Sequence, residues 1–148
     1  MQAQMLAPAA VLVAWSLVML IWTAVTRFGA MSKAGVTLGT AKPGGRGQDL
    51  EGVIEDRVNW KAHNYTHLME QPTLFYATVV ILALSGAAAI DVRLAWTYAL
   101  LRIVHSIWQG TINRVPVRAS LFYLSSICLI VLAVRALIAT LASPLVAL

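Results

Sequence analysis

Asn59, His63, His67 and Glu70 fall at i, i+4, i+8 and i+11, which places them in one stripe along a helix. Arg102, His105, Gln109 and Asn113 fall at i, i+3, i+7 and i+11 and form a second stripe. Asn64, Tyr65 and Gln71 flank the first. Two imidazoles and a carboxylate on one helical face, with His105 approaching from another helix, are a donor set that suits zinc or iron. The same residues also suit a plainer task, since interhelical hydrogen bonds between polar side chains specify packing in membrane bundles.

The elements that carry these stripes are read from the charges. No charged residue occurs from Met1 to Thr26, and none lies between Glu70 and Asp91. Only Arg102 interrupts Leu94 to Asn113, and only Arg135 interrupts Ala119 to Leu148. A hydrocarbon core about 30 Å thick is crossed by roughly 20 apolar helical residues. The chain therefore reads as an all-α integral membrane four-helix bundle in a single domain spanning residues 1–148. The helices are expected at about 6–28, 56–89, 93–112 and 117–142, with a loop at about 29–55. Apolar residues make up 59% and charged residues 11%, which excludes an ordinary soluble domain. The net charge of +5 follows membrane topology and is no nucleic-acid footprint. The single Cys128 lies in the fourth apolar stretch, so there is no disulfide framework, and packing explains it.

Arg27, Lys33, Lys42, Arg46, Arg57 and Lys61 lie between the first and second helices, and Arg114 and Arg118 between the third and fourth. The hairpin between helices two and three carries only Arg93. The positive-inside rule then puts the long first loop and the short third loop in the cytoplasm and both termini on the opposite side. The N-terminal stretch lacks a basic leader and is too long for a signal core, so it reads as a retained first helix with Pro8 near its first turn. Residues 31–52 are rich in Gly, Thr and Lys and read as a mobile loop. Pro72 should bend or loosen the second helix as it enters the membrane. Arg135 lies 17 residues past Arg118, about 25 Å along a helix, which places it at the far interface, where it can snorkel. Polar stripes facing lipid are costly, so the two stripes should face each other or a subunit boundary.

The segment from Arg57 to Pro72, with Asn59, His63, His67 and Glu70 inside it, resembles the start of helix two in the MAPEG family, the membrane-associated proteins of eicosanoid and glutathione metabolism. Leu101-Arg102-Ile-Val-His105 and Asn113-Arg114-Val-Pro116-Val-Arg118 resemble the same family's third helix and fourth-helix opening. The resemblance covers nearly the whole chain. It implies a homotrimer in the membrane lipid, with glutathione sites between subunits that open to the cytosol. Glutathione-using members typically show Arg-x-x-x-Asn-x-x-Glu on helix two. Anchored on Glu70, that pattern puts His67 at the Asn position and His63 at the Arg position. The chain thus resembles a bacterial-type branch with a divergent glutathione motif, expected in a bacterial inner membrane.

On this resemblance Arg118, sixteen residues after Arg102, matches the arginine that activates the glutathione thiol, with Arg114 its competitor. Glu70 suits the amino group of the tripeptide, while Arg102 and nearby cations suit its carboxylates. Asn59, His63, His67, His105 and Gln109 complete the candidate binding set. A thiolate favoured by Arg118 would attack a lipophilic electrophile or hydroperoxide, which is transferase or peroxidase chemistry. A symmetric hairpin centred near Ile90 sets Arg102 about eight residues, roughly 12 Å, deeper than Glu70, so a direct ion pair between them does not follow. Two alternatives stand beside the enzyme. One is a scaffold or lipid- or partner-binding trimer that has lost glutathione chemistry. The other is a metal site of His63, His67, Glu70 and His105.

Overall fold

The structure, a computed structural model, describes residues 2–142. Its described residues form five α-helices: α1 (Gln2–Lys33), α2 (Asp56–Met69), α3 (Gln71–Ser85), α4 (Ala89–Thr111) and α5 (Val115–Ala142). α2 and α3 follow one another with only Glu70 between them, so the chain makes four rods. Three are long and apolar enough to cross a membrane: Gln2–Lys33, Asp56–Ser85 and Val115–Ala142. α4 has the length, roughly 35 Å over 23 residues. Its polar residues lower its apolar character, and most of them are turned inward: Asp91, Arg102, His105, Ser106 and Gln109 are buried, while Ile90, Leu100, Val104 and Ile107 face out.

α4 is the central rod and packs against α1, α2 and α5. α1 buries Met5, Pro8, Leu12, Ser16, Met19 and Thr23, a stripe at spacings of three and four. Gly110 on α4 lets the two helices approach closely, since a Cβ there would meet the Trp22 ring at 3.1 Å. α1 is longer than the expected 6–28, because helical geometry continues through Arg27 to Lys33. At roughly 48 Å it exceeds the hydrocarbon thickness, so its last turns leave the apolar layer.

The helix expected over 56–89 is broken. Glu70 has φ −88° and ψ −96°, between α2 and α3. Pro72 explains the break, since it has no N–H and its ring crowds the carbonyl one turn back. Thr73 repairs part of the loss by donating its N–H at 3.1 Å and its hydroxyl at 2.6 Å to the Glu70 carbonyl. α3 then stops at Gly86, whose φ of 92° suits a residue without a side chain.

Polar contacts tie the rods together. Ser106 Oγ accepts from Trp15 Nε1 at 2.9 Å and from Asn64 Nδ2 at 2.8 Å, joining α1, α2 and α4 at one atom. Thr23 donates to the Lys61 carbonyl at 3.0 Å, and Gln71 Nε2 donates to Ser126 Oγ at 2.8 Å. Arg135 does not snorkel alone. Its guanidinium grips both carboxylate oxygens of the buried Asp91, and Asp91 also accepts the Ala88 N–H at 2.8 Å. The α3–α4 hairpin is thereby closed onto α5.

The first loop is more ordered than its composition implied. It contains 3-10 turns at Leu38–Thr40 and Gly47–Leu50, and Arg27 Nη2 donates to the Gly47 carbonyl. Ile54 is buried against the bundle.

Because Ser106 serves the buried Asn64 and the half-buried Trp15, Ser106→Ala should leave both without an acceptor. A loss of about 1–3 kcal/mol is expected, read as a lower unfolding midpoint in detergent, whereas Asn64→Leu, which removes a donor and leaves none stranded, should be milder.

Candidate functional site

The second polar stripe points into the protomer. Arg102 is 0% exposed, and His105, Ser106 and Gln109 are buried with it. Arg102 Nη2 donates to the His67 carbonyl at 2.8 Å. That carbonyl belongs to the last turn of α2, where a helix leaves its carbonyls without partners. The break at Glu70 therefore creates the acceptor that Arg102 uses. The guanidinium also lies 5.7 Å from the Phe122 ring centre.

His67 and His105 stack across the α2–α4 boundary with centroids 5.9 Å apart and planes 6° from parallel, and Phe122 is tilted against both. Among the described residues, Arg102 Nε and Nη1, both ring nitrogens of His105, His67 Nδ1 and Gln109 Oε1 are buried and have no hydrogen-bond partner. Buried polar atoms of that kind are uncommon. They concentrate along one face of α4 and the facing turn of α2.

Two cavities flank the stack. The larger, about 680 Å³, is lined by Arg27, Arg46, Gly47 and Gln48 from the first helix and loop, by Ala62, His63, Thr66 and His67 from α2, and by Gln109 and Arg118. Its lining holds three arginines and no carboxylate, so its potential favours anions. The smaller, about 160 Å³, is lined by His67, His105, Val115, Arg118, Ala119, Phe122 and Tyr123. It is aromatic and apolar apart from its two histidines and Arg118. His67 and Arg118 belong to both.

Arg118 is fixed by the turn that precedes it. Asn113 adopts φ 55°, a left-handed conformation that asparagine tolerates better than most residues, and accepts from Arg118 Nη1 at 2.8 Å. The Asn113 N–H donates to the Trp108 carbonyl at 2.8 Å, and Trp108 Nε1 donates to the Arg114 carbonyl at 3.2 Å. With five donors on a guanidinium, Arg118 keeps others for a ligand. Arg114 is exposed and lines neither cavity.

The candidate residues thus separate. His63, His67, Gln109 and Arg118 line the large cavity; His105 lies behind the shared histidine, and Arg102 holds the turn from beneath. Asn59 is buried elsewhere, with Nδ2 3.5 Å from the Leu50 carbonyl. Glu70 sits at the helix break with its side chain 60% exposed and 3.9 Å from His67, and lines neither cavity. His63 also turns outward, to Glu51 at 2.9 Å. The metal arrangement does not form: no group of three His, Cys, Asp or Glu side chains among the described residues is placed to hold an ion. Sequence reasoning assigned Arg27 and Arg46 to topology alone. Their place in the cavity follows from a loop that folds back onto α1, for which the Gly-rich run around Gly47 was the only local sign.

No curated protein and no solved structure matches the chain. The MAPEG family model matches residues 5–138, and on that coverage, with the helical architecture described above, the chain belongs to the MAPEG family.

Proposed function

We propose that this membrane protein binds glutathione in the cationic cavity and acts as a glutathione transferase or peroxidase on lipophilic electrophiles or hydroperoxides. The observation that carries this reading is the sharing of His67 and Arg118 by a cationic cavity and an aromatic one. A polar reactant in the first and an apolar reactant in the second would meet at Arg118.

The residues fit the tripeptide. Arg27 and Arg46 offer donors to two carboxylates, and Gln109, which shares that lining, offers its side-chain amide to the ammonium end. That task falls to Gln109, since Glu70 lies outside the cavity. Glutathione, when bound, supplies a thiol whose thiolate form is the nucleophile. Arg118 at the N-terminal turn of α5 favours negative charge beside it, and the helix dipole acts in the same direction. Phe122, Tyr123 and Val115 hold an apolar reactant and exclude water from it.

Replacing Arg118 by Ala should leave assembly intact and lower thiolate formation and conjugation at least tenfold, equivalent to about 1.4 kcal/mol. The thiolate absorbance of glutathione titrated into protein in nanodiscs reads this directly. No binding at millimolar glutathione would overturn the enzyme reading in favour of a membrane scaffold.

The assembly is proposed to be a homotrimer. The α4 stripe is buried within one protomer, so it does not call for a neighbour. The outward surface at the helix break does: Glu70 sits there between α2 and α3 with its side chain 60% exposed. A carboxylate on a lipid-facing surface is costly, and a second protomer covering that face removes the cost. Native mass spectrometry from mild detergent should give three chains. A monomer that persists across detergents and protein concentrations argues against it.

The orientation is proposed from the basic residues, with four spans, the first loop in the cytoplasm and both ends of the chain on the other side of a bacterial inner membrane. Gly45 and Ile90 are both exposed. Single cysteines placed there, in a chain whose own Cys128 is replaced, should be labelled from opposite sides. Labelling of both from one side would reverse this view.

A further inference from the structure

A separate cavity lies where the first loop folds over the projecting end of α1. It measures about 600 Å³, within the roughly 300–1,000 Å³ of small-molecule sites. Phe28, Met31, Val36, Leu38, Leu50 and Val53 give it an apolar lining. Phe28, at the end of the apolar span, and Leu38 and Val53, in the loop beyond it, are 56%, 70% and 50% exposed. Arg27, Lys42 and Arg46 also line it, against one carboxylate, Asp49. That carboxylate is engaged, accepting the Arg46 N–H at 2.8 Å. Arg27 Nε is buried and, among the described residues, has no hydrogen-bond partner.

An apolar cavity with a cationic edge, just beyond the last residue of a charge-free span, matches an amphiphile whose head is anionic. We propose that this cavity binds a free long-chain fatty acid, with the acyl chain against Phe28, Leu38 and Val53 and the carboxylate among Arg27, Lys42 and Arg46. Three donors of this kind match a carboxylate in charge and hydrogen bonding. The tail gains by leaving water, at about 0.8 kcal/mol per buried methylene. The site adjoins the cavity proposed for glutathione and shares Arg27, Arg46 and Gly47 with it, while Phe28, Leu38, Lys42 and Val53 line this cavity alone.

The test uses the full chain in phosphatidylcholine nanodiscs carrying a fluorescent long-chain fatty acid. Palmitate should displace the probe saturably, and methyl palmitate, which lacks the charge, should do so at least tenfold less well. Lys42→Gln and Leu38→Asn change residues that line this cavity and not the other. Each should weaken palmitate at least tenfold while leaving glutathione titration unchanged, which separates failure of this site from failure of the enzyme reading. Equal displacement by acid and ester, or unaltered binding in both variants, overturns the proposal. Loss of palmitate binding in phosphatidylglycerol nanodiscs would also overturn it, because the cavity would then be taking a membrane phospholipid.

Discussion

The hydrogen bond from Arg102 to the His67 carbonyl is the contact on which the arrangement of the site depends. Backbone polar groups in a membrane have no water to turn to, so an interrupted helix must find partners within the protein. Pro72 forces the interruption, and Arg102, wholly buried on α4, supplies a donor. The consequence is positional. Holding the last turn of α2 against α4 brings His67 over His105 and puts both beside Phe122 of α5. A buried guanidinium is itself costly unless it is partnered, and the break supplies it with one acceptor while it supplies the break with one donor.

The gross architecture was legible because lipid imposes a simple rule on sequence: long uncharged stretches become helices, and loops keep the charges. Helix ends were less legible, since the projecting turns of α1 after Thr26 carry no lipid signature and owe their helicity to continuation from the span. The stripes of His67, Arg102, His105 and Gln109 were visible from spacing alone, because period and burial coincide on α4. Glu70 keeps the proximity to His67 that helical spacing gives it, at 3.9 Å, while the break at that residue leaves its side chain 60% exposed and outside the cavity lining. Arg135 was read as a solitary interfacial cation because its partner Asp91 lies 44 residues away on another helix. Pairings of that range are set by tertiary packing, and no local pattern records them.

Two different economies of charge coexist in the bundle. At the α3–α4 hairpin, Asp91 and Arg135 neutralise each other, and the Ala88 N–H completes the carboxylate's shell. At the opposite end, the cavity lining beside the stacked histidines gathers three arginines and no carboxylate. Like charges held together raise the energy of the folded chain on their own and lower the energy of any anion that joins them. Arg118 is held there by Asn113, a neutral amide, so its charge is not spent on an internal partner.

Gly47 is the point at which the loop meets α1. A side chain at that position would begin 2.5 Å from Arg27 Nη1, so the guanidinium would have to shift to make room for it. The gripped arginine forms part of the wall between two cavities of different character. A wall held by one side-chain contact is a common degree of freedom for both. If an occupant on one side changes the affinity on the other through Arg27 by some factor, the second occupant must change the affinity of the first by that same factor.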